Sequence, residues 1–258
     1  MSHKSIFEFP DAYDAIMRAS TDQLQLEADV IRNLLMDRNQ EAGRILEIAC
    51  GTSPHGIPLS QHGFSVTGLD LSAPMLEGAG HRARVAGIDI DLVQGDFTDF
   101  NLDVIPFDCA IFMSETFPLI TRYEDIASHF RSVHRHLNPG GIYLVDIDAQ
   151  EEGYRTQHKV WGQRSITLSD GQVDVWYENQ PADWVRGINR LTMYCNINTE
   201  SVQVTTVDPW EIRVYNPWTL SVLIQSLEGW RLQGFYAWQD LSEDIADQNN
   251  YFMMLEKI

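Results

Sequence analysis

The chain has 258 residues, 44% of them hydrophobic, enough for one large α/β domain or one domain carrying an insertion. Acidic residues number 37 against 18 basic ones, and the resulting charge of −19 repels nucleic-acid phosphates and anionic lipid. No apolar run approaches the roughly 18 residues of a membrane span. The first residues, MSHKSIFEFPDAYD, lack a basic-then-apolar signal, so a soluble cytoplasmic protein is expected.

Cys50, Cys109 and Cys195 lie far apart with no CxxC pair, which reads as free thiols in a reducing compartment. Leu24, Leu26, Val30, Ile31, Leu34 and Leu35 predict an amphipathic helix. A strand over 44–49 leads into a Gly/Ser/Pro loop and a short helix to Gln61. A second strand over 64–69 precedes a helix opened by Pro74 and running to about Ala86. Strands follow over 90–93 and 107–113. A helix over 126–137 stops at Asn138-Pro139-Gly140-Gly141, and a fifth strand covers 142–147. That alternation predicts an α/β, doubly wound, mostly parallel sheet of seven strands.

Between Lys159 and Tyr215 the pattern becomes polar/apolar alternation, in stretches such as 172–178, 190–197 and 201–207. This predicts an antiparallel β insertion after strand five. Helix returns over 218–227, and strands over 230–238 and 251–255 close the sheet. The expected organisation is an N-terminal lid segment and helix (1–40), a cofactor-binding core (41–150), the insertion as substrate cap or dimer face (151–216), and the closing helix and strands (217–258).

The loop from Arg44 to Gly56 ends a strand in small residues before a helix, which lets backbone approach a ligand and aims amide donors at it. A dinucleotide fingerprint would need glycines at 49, 51 and 54, where Ala49, Gly51 and Pro54 stand. A P-loop would need a G-K-[ST] tripeptide that is absent. The segment Glu47-Ile-Ala49-Cys-Gly51-Thr-Ser53 instead resembles the first motif of class I S-adenosylmethionine methyltransferases, [DE]-x-[GA]-x-G-x-G, with Ser53 in place of the last glycine. Gly68-Leu-Asp70-Leu71-Ser72 with Met75, Gly95-Asp96-Phe97, Phe107 to Met113 and Leu137-Asn-Pro-Gly-Gly-Ile-Tyr-Leu144 are similar to that family's later motifs, in order.

The resemblance implies S-adenosylmethionine as cofactor, with Glu47, Ala49, Gly51, Asp70, Leu71, Met75, Asp96, Phe97 and Met113 around it. In the family the acid corresponding to Asp70 takes the ribose hydroxyls, and the pair corresponding to Asp96-Phe97 brackets adenine. Read without the resemblance, Glu47 is a stabiliser of its own loop, Asp70 and Asp96 are strand-end acids, and Met75 and Met113 are core. Phe9-Pro-Asp-Ala-Tyr13-Asp14 resembles the lid segment of small-molecule N-methyltransferases, which implies that Tyr13 closes on the cofactor; the alternative is a helix anchor.

Methyl transfer needs collinear alignment and exclusion of water, with an acid or base only to take or orient the acceptor's proton. Candidates stand where strands four and five end: Glu115, in Ser114-Glu115-Thr116, and Asp148, in Asp146-Ile-Asp148. Arg213, in Arg213-Val-Tyr215, resembles a substrate-facing turn of the same relatives. No third ligand accompanies Asp146 and Asp148, so no metal is expected. His129, His134 and His136 read as surface residues, with only 129 and 136 sharing a helix face. Trp176, Tyr177, Trp184, Tyr194 and Trp210 read mostly as core, with an amine-binding wall or a dimer face as the alternatives.

The expected function is a small-molecule methyltransferase, N-directed ahead of O-directed, with a small-molecule acceptor, no nucleic-acid or membrane partner, and a homodimer as a further partner to consider. Another S-adenosylmethionine-using transferase and a non-catalytic binding module are the rivals.

Overall fold

The computed structural model describes residues 4–17, 20–38, 43–148, 158–183, 185–237 and 250–258. The chain divides into two compact units: Met1–Arg18 with Gln150–Val214, and Ala19–Ala149 with Tyr215–Ile258.

The larger unit is built on a seven-stranded sheet. Its strands are β1 (Arg44–Ile48), β2 (Ser65–Asp70), β3 (Asp91–Gln94), β4 (Phe107–Phe112), β5 (Leu137–Asp148), and the late strands β10 (Trp230–Tyr236) and β11 (Asn250–Lys257). The order is β10-β11-β5-β4-β1-β2-β3, parallel except around β11. Strand order reverses between β1 and β4, whose Ile45–Ile48 and Cys109–Phe112 pair directly.

Period-two alternation splits the strands between two cores. Leu46, Ile48, Ala110, Phe112, Tyr143 and Val145 face one layer, with Ile126, Phe130 and Val133 of helix α5 (Tyr123–His136) and Leu220 and Ile224 of α6 (Pro217–Gln225). Ile45, Cys109, Ile111, Ile142 and Leu144 face the other, with Ala28, Ile31 and Leu35 of α2 (Thr21–Met36) and Leu59 of α3 (Gly56–Gln61). Burial on both faces is why these strands read as nearly continuous apolar runs. Helix α4 (Ala73–Ala86) starts at the Ser72 hydroxyl, which accepts from Met75 N, and ends at Gly87 in the left-handed region.

The expectation that the α5 histidines lie on the surface is corrected. His129 is fully buried and His136 nearly so, because positions 129 and 136 fall on the same stripe as Ile126, Phe130 and Val133. His134 is only partly buried.

The smaller unit is a four-stranded antiparallel sheet, β6 (Lys159–Leu168), β7 (Gly171–Asp183), β8 (Ile188–Thr199) and β9 (Gln203–Arg213), in that order. Its apolar face, Val173, Val175, Tyr177, Met193, Cys195 and Ile197, is covered by Ile6, Ala12 and Ile16 from the N-terminal segment with its helix α1 (Pro10–Met17). The Asp208 carboxylate fastens that segment, accepting from Ser5 Oγ at 2.6 Å and Ile6 N at 3.1 Å. On the sheet's opposite face the rings of Trp176 and Tyr194 stack at 5.3 Å, and Tyr177 and Trp210 pack into the apolar layer. Trp184 and Trp238 lie outside the described residues.

Candidate functional site

Four non-glycine residues among the described ones have a left-handed backbone: Ala49 (φ 50°), Ser53 (φ 55°), Ser114 (φ 58°) and Glu115 (φ 55°). Each such residue costs roughly 1–2 kcal/mol. All four lie just beyond the C-terminal ends of β1 and β4, the two strands flanking the switch in strand order. In an open α/β sheet that crevice is where ligands bind.

After β1 the left-handed residues alternate: Ala49, Gly51 (φ 53°) and Ser53. These are the three positions where the resembled motif carries small residues, and Ser53 adopts the backbone that the missing glycine would take. Its hydroxyl makes that tolerable by donating to Glu47 Oε2 at 2.5 Å. Glu47 also accepts from the backbone N–H of His55 (3.3 Å) and Gly56 (3.2 Å), and its side chain is only 2% exposed. The carboxylate therefore shapes the loop from behind.

His55 joins this network from the other side. Its Nε2 lies 2.7 Å from Glu27 Oε2 of α2, and its Nδ1 lies 3.6 Å from Glu47 Oε1. Burial alone would lower the imidazolium's pKa, but hydrogen bonds and charge from Glu27 and Glu47 outweigh it and lift it to about 9. Sequence reasoning passed over this pair. The signal was present: Glu27 sits on the apolar stripe of α2 with Leu24, Ala28 and Ile31, a place where an acid needs a partner.

Asp70 ends β2 beside the loop. Its Oδ2 accepts from Gly51 N at 2.7 Å and its Oδ1 from Ser72 N at 2.8 Å. Burial raises its pKa, the two amide bonds pull against that, and the charge of Glu47 adds to the rise. Cys50 is buried against Gly68, where an added Cβ would meet its Sγ at 2.8 Å. Leu71 is 63% exposed, while Met75 and Met113 are buried. After β3, Asp96 is exposed and its Oδ1 accepts from Thr98 N and Oγ1, both at 2.8 Å. Phe97 leans on Phe112 with ring centroids 5.3 Å apart.

Beyond β4, the strained Ser114-Glu115 turn is exposed and anchored by the buried Asp146 of β5, whose Oδ2 accepts from Glu115 N at 3.1 Å. Asp148 is at the end of β5, where its backbone pairs with Asn250. Tyr13 and Arg213 belong to the smaller unit. Tyr13 packs on Phe7 at 5.4 Å, and Arg213 Nη1 donates to the Arg186 carbonyl at 2.8 Å. Tyr215 is buried, with its hydroxyl donating to the Ile120 carbonyl at 2.8 Å. Among the described residues no three His, Cys, Asp or Glu side chains gather as a metal site, and no helix is long and apolar enough to cross a membrane.

Residues 45–141 match the family described as the methyltransferase domain. That segment holds the post-β1 loop, Asp70, Asp96 and the turn after β4. The chain is 34% identical over 136 residues to the dTDP-4-amino-2,3,4,6-tetradeoxy-D-glucose N,N-dimethyltransferase of Saccharopolyspora spinosa, covering 53% of each chain. It is 32% identical over 136 residues to the dTDP-3-amino-3,4,6-trideoxy-alpha-D-glucopyranose N,N-dimethyltransferase of Streptomyces venezuelae, covering 53% of this chain and 55% of that one. The alignments thus span about half the length of these curated relatives. Among solved structures, an S-adenosylmethionine-dependent methyltransferase from Clostridium acetobutylicum ATCC 824 superposes with a TM-score of 0.78 at 18% identity, covering 96% of this chain and 97% of that one. The chain has a Rossmann-like methyltransferase fold with an additional antiparallel sheet after strand five.

Proposed function

We propose that this protein is a cytoplasmic S-adenosylmethionine-dependent N-methyltransferase whose acceptor is a small amine, with a nucleotide-linked amino deoxysugar as the leading substrate class. The observation that carries this is the row of left-handed residues at 49, 51 and 53, tied to Asp70 through the Gly51 amide, in the crevice where strand order reverses. The names of the two curated relatives support the amino-sugar class. The charge of −19 favours a small acceptor over nucleic acid or a membrane surface, and a homodimer is the further partner proposed.

The donor set fits the cofactor. Backbone at Ala49 and Gly51 is shaped for close approach, the half-buried Asp70 carboxylate suits a pair of ribose hydroxyls, and the exposed Leu71 and Asp96, with Phe97, are the proposed adenine contacts. The buried Met75 and Met113 are further proposed cofactor contacts. Glu47 acts by holding the loop. When bound, the sulfonium supplies the methyl group. The chain's task is to align the acceptor nitrogen, exclude water and receive a proton. Glu115, presented by its strained turn beyond β4, is the proposed proton acceptor.

The test combines titration calorimetry with S-adenosylmethionine and an assay of S-adenosylhomocysteine formation using dTDP-linked 3-amino and 4-amino deoxyhexoses alongside simple amines. Micromolar-range cofactor binding and turnover with an amine are expected. A folded protein that binds no S-adenosylmethionine overturns the cofactor assignment. Binding without turnover of any amine overturns the enzymatic one.

A further inference from the structure

Strand β3 is short, four residues at the sheet edge, with only β2 as a neighbour. Its ladder ends at Gly95, whose N–H reaches the Asp70 carbonyl at 2.9 Å. The next seven residues, 96–102, have no strand to hold them, and leaving them free would cost roughly 1–2 kcal/mol per residue to order when a ligand arrives.

Helix α5 supplies what the sheet does not. Along one face, at positions 129, 132, 135 and 136, its side chains hydrogen-bond to the backbone of that segment. His129 Nδ1 lies 2.7 Å from the Phe97 carbonyl. The Ser132 hydroxyl accepts from Phe100 N at 3.2 Å and donates to the Asp99 carboxylate, also at 3.2 Å. Arg135 donates to the Phe100 carbonyl at 2.6 Å. His136 Nε2 lies 2.8 Å from Leu102 N.

The chemistry of the partners fixes both tautomers. A carbonyl can only accept, so His129 Nδ1 carries the proton. Its Nε2, 2.5 Å from the Tyr143 hydroxyl, then accepts from it. The ring is sealed among Phe112, Phe117 and Phe130, and that burial holds its pKa down at about 4. His136 Nδ1 lies 2.7 Å from the Ser132 carbonyl and is likewise the protonated nitrogen, which leaves Nε2 to receive the Leu102 N–H. One chain of donors therefore runs from Tyr143 of β5 through His129 to the peptide after Phe97.

We propose that this face of α5 is a positioning device for the adenine end of the cofactor site, in which His129, backed by Tyr143, and Ser132 and His136 fix the path of residues 97–102 and so place Asp96 and Phe97. The proposal rests on the assignment of Asp96 and Phe97 to adenine made above. Local bonds from Thr98 hold the Asp96 carboxylate within its turn. The helix holds the turn itself, so the adenine rim is formed before ligand arrives.

The test uses the full chain and two probes, S-adenosylmethionine and adenosine, titrated calorimetrically at pH 7.5. The wild-type titration comes first, and its failure would count against the cofactor assignment alone. Given wild-type binding, His129→Leu/Tyr143→Phe removes the donor chain without leaving a buried hydroxyl unpaired, and should weaken both probes by about tenfold. His129→Asn/Tyr143→Phe restores an N–H at the Nδ1 position and should bind both within about threefold of wild type. A folded leucine variant with wild-type affinity overturns the proposal, as does an asparagine variant as weak as the leucine one. Should the leucine variant not fold, Ser132→Ala decides: about a threefold to tenfold loss for both probes is expected, and unchanged affinity overturns the proposal.

Discussion

Ser53 donates its hydroxyl to the Glu47 carboxylate across 2.5 Å while its own backbone sits at φ 55°. The bond and the strain belong to the same residue, so two substitutions separate them. Ser53→Ala keeps the Cβ in the left-handed region and loses the bond, and should cost about 1–2 kcal/mol. Ser53→Gly loses the same bond but relieves the strain, and should cost about 1 kcal/mol less. Urea denaturation compares them, and equal losses would show that the left-handed backbone carries no strain.

The buried histidines give stability a maximum near the ordinary histidine pKa of 6.5. His55, raised to about 9, binds its proton more tightly when folded. Its contribution is complete below 6.5 and is lost as pH climbs to 9, worth on the order of 3 kcal/mol. His129, lowered to about 4, resists protonation when folded. Its contribution is complete above 6.5 and is lost as pH falls toward 4. Melting temperature against pH should fall on both sides, and His55→Gln should flatten the alkaline limb. An alkaline limb unchanged by that substitution would remove His55 from the account.

Gly68 and Cys50 form a steric pair across β2 and the loop. A Cβ at 68 meets Cys50 Sγ at 2.8 Å and Leu92 Cδ2 at 3.1 Å. Gly68→Ala should destabilise by about 1–3 kcal/mol. Adding Cys50→Ala removes the sulfur and should recover part of that loss, giving a non-additive double-mutant cycle. Strict additivity would mean that Leu92, not the thiol, sets the limit.

Asp146 is a buried acceptor for the Glu115 amide, and the turn it holds has two consecutive left-handed residues. Asp146→Ala should lower stability by about 1–3 kcal/mol, and Glu115→Gly, by easing the backbone, should offset roughly 1 kcal/mol of that. Chemical denaturation of the single and double variants measures both. A glycine that gives no relief would show that Asp146 does not hold the turn against strain.

The sheet and the post-β1 loop were legible in the sequence because each rests on local signals. Strands buried on both faces write continuous apolar runs, and the small residues at 49, 51 and 53 write the demand for unusual backbone. What stayed hidden depends on which elements become neighbours. Nothing local says that Ser114-Glu115 comes to lie beside the Ala49–Ser53 loop, because β1 and β4 are adjacent only through the winding of the sheet. The partnership of Glu27 with His55 spans 28 residues and that of His129 with Phe97 spans 32. Polar residues on otherwise apolar helix stripes mark both places, and burial with a partner is the physical reading of such residues. His129 and His136 are buried because Ile126, Phe130 and Val133 share their stripe, a relation that the spacing of the histidines alone does not carry.

The fastening of Ser5 and Ile6 to Asp208 also bears on how the chain folds as it is synthesised. The partners are separated by 203 and 202 residues, and β5 meets its partner β11 only after the whole antiparallel sheet has been made. The two units are interleaved along the chain, each needing a segment from the far side of the other. A nascent chain can wind β1 to β5 early, but the apolar faces of its opening segment and of β5's open edge wait for late strands. Closing loops of that length is entropically costly and slow, so the synthesis of β11, not the emergence of the post-β1 loop, sets when the seven-stranded sheet can be completed.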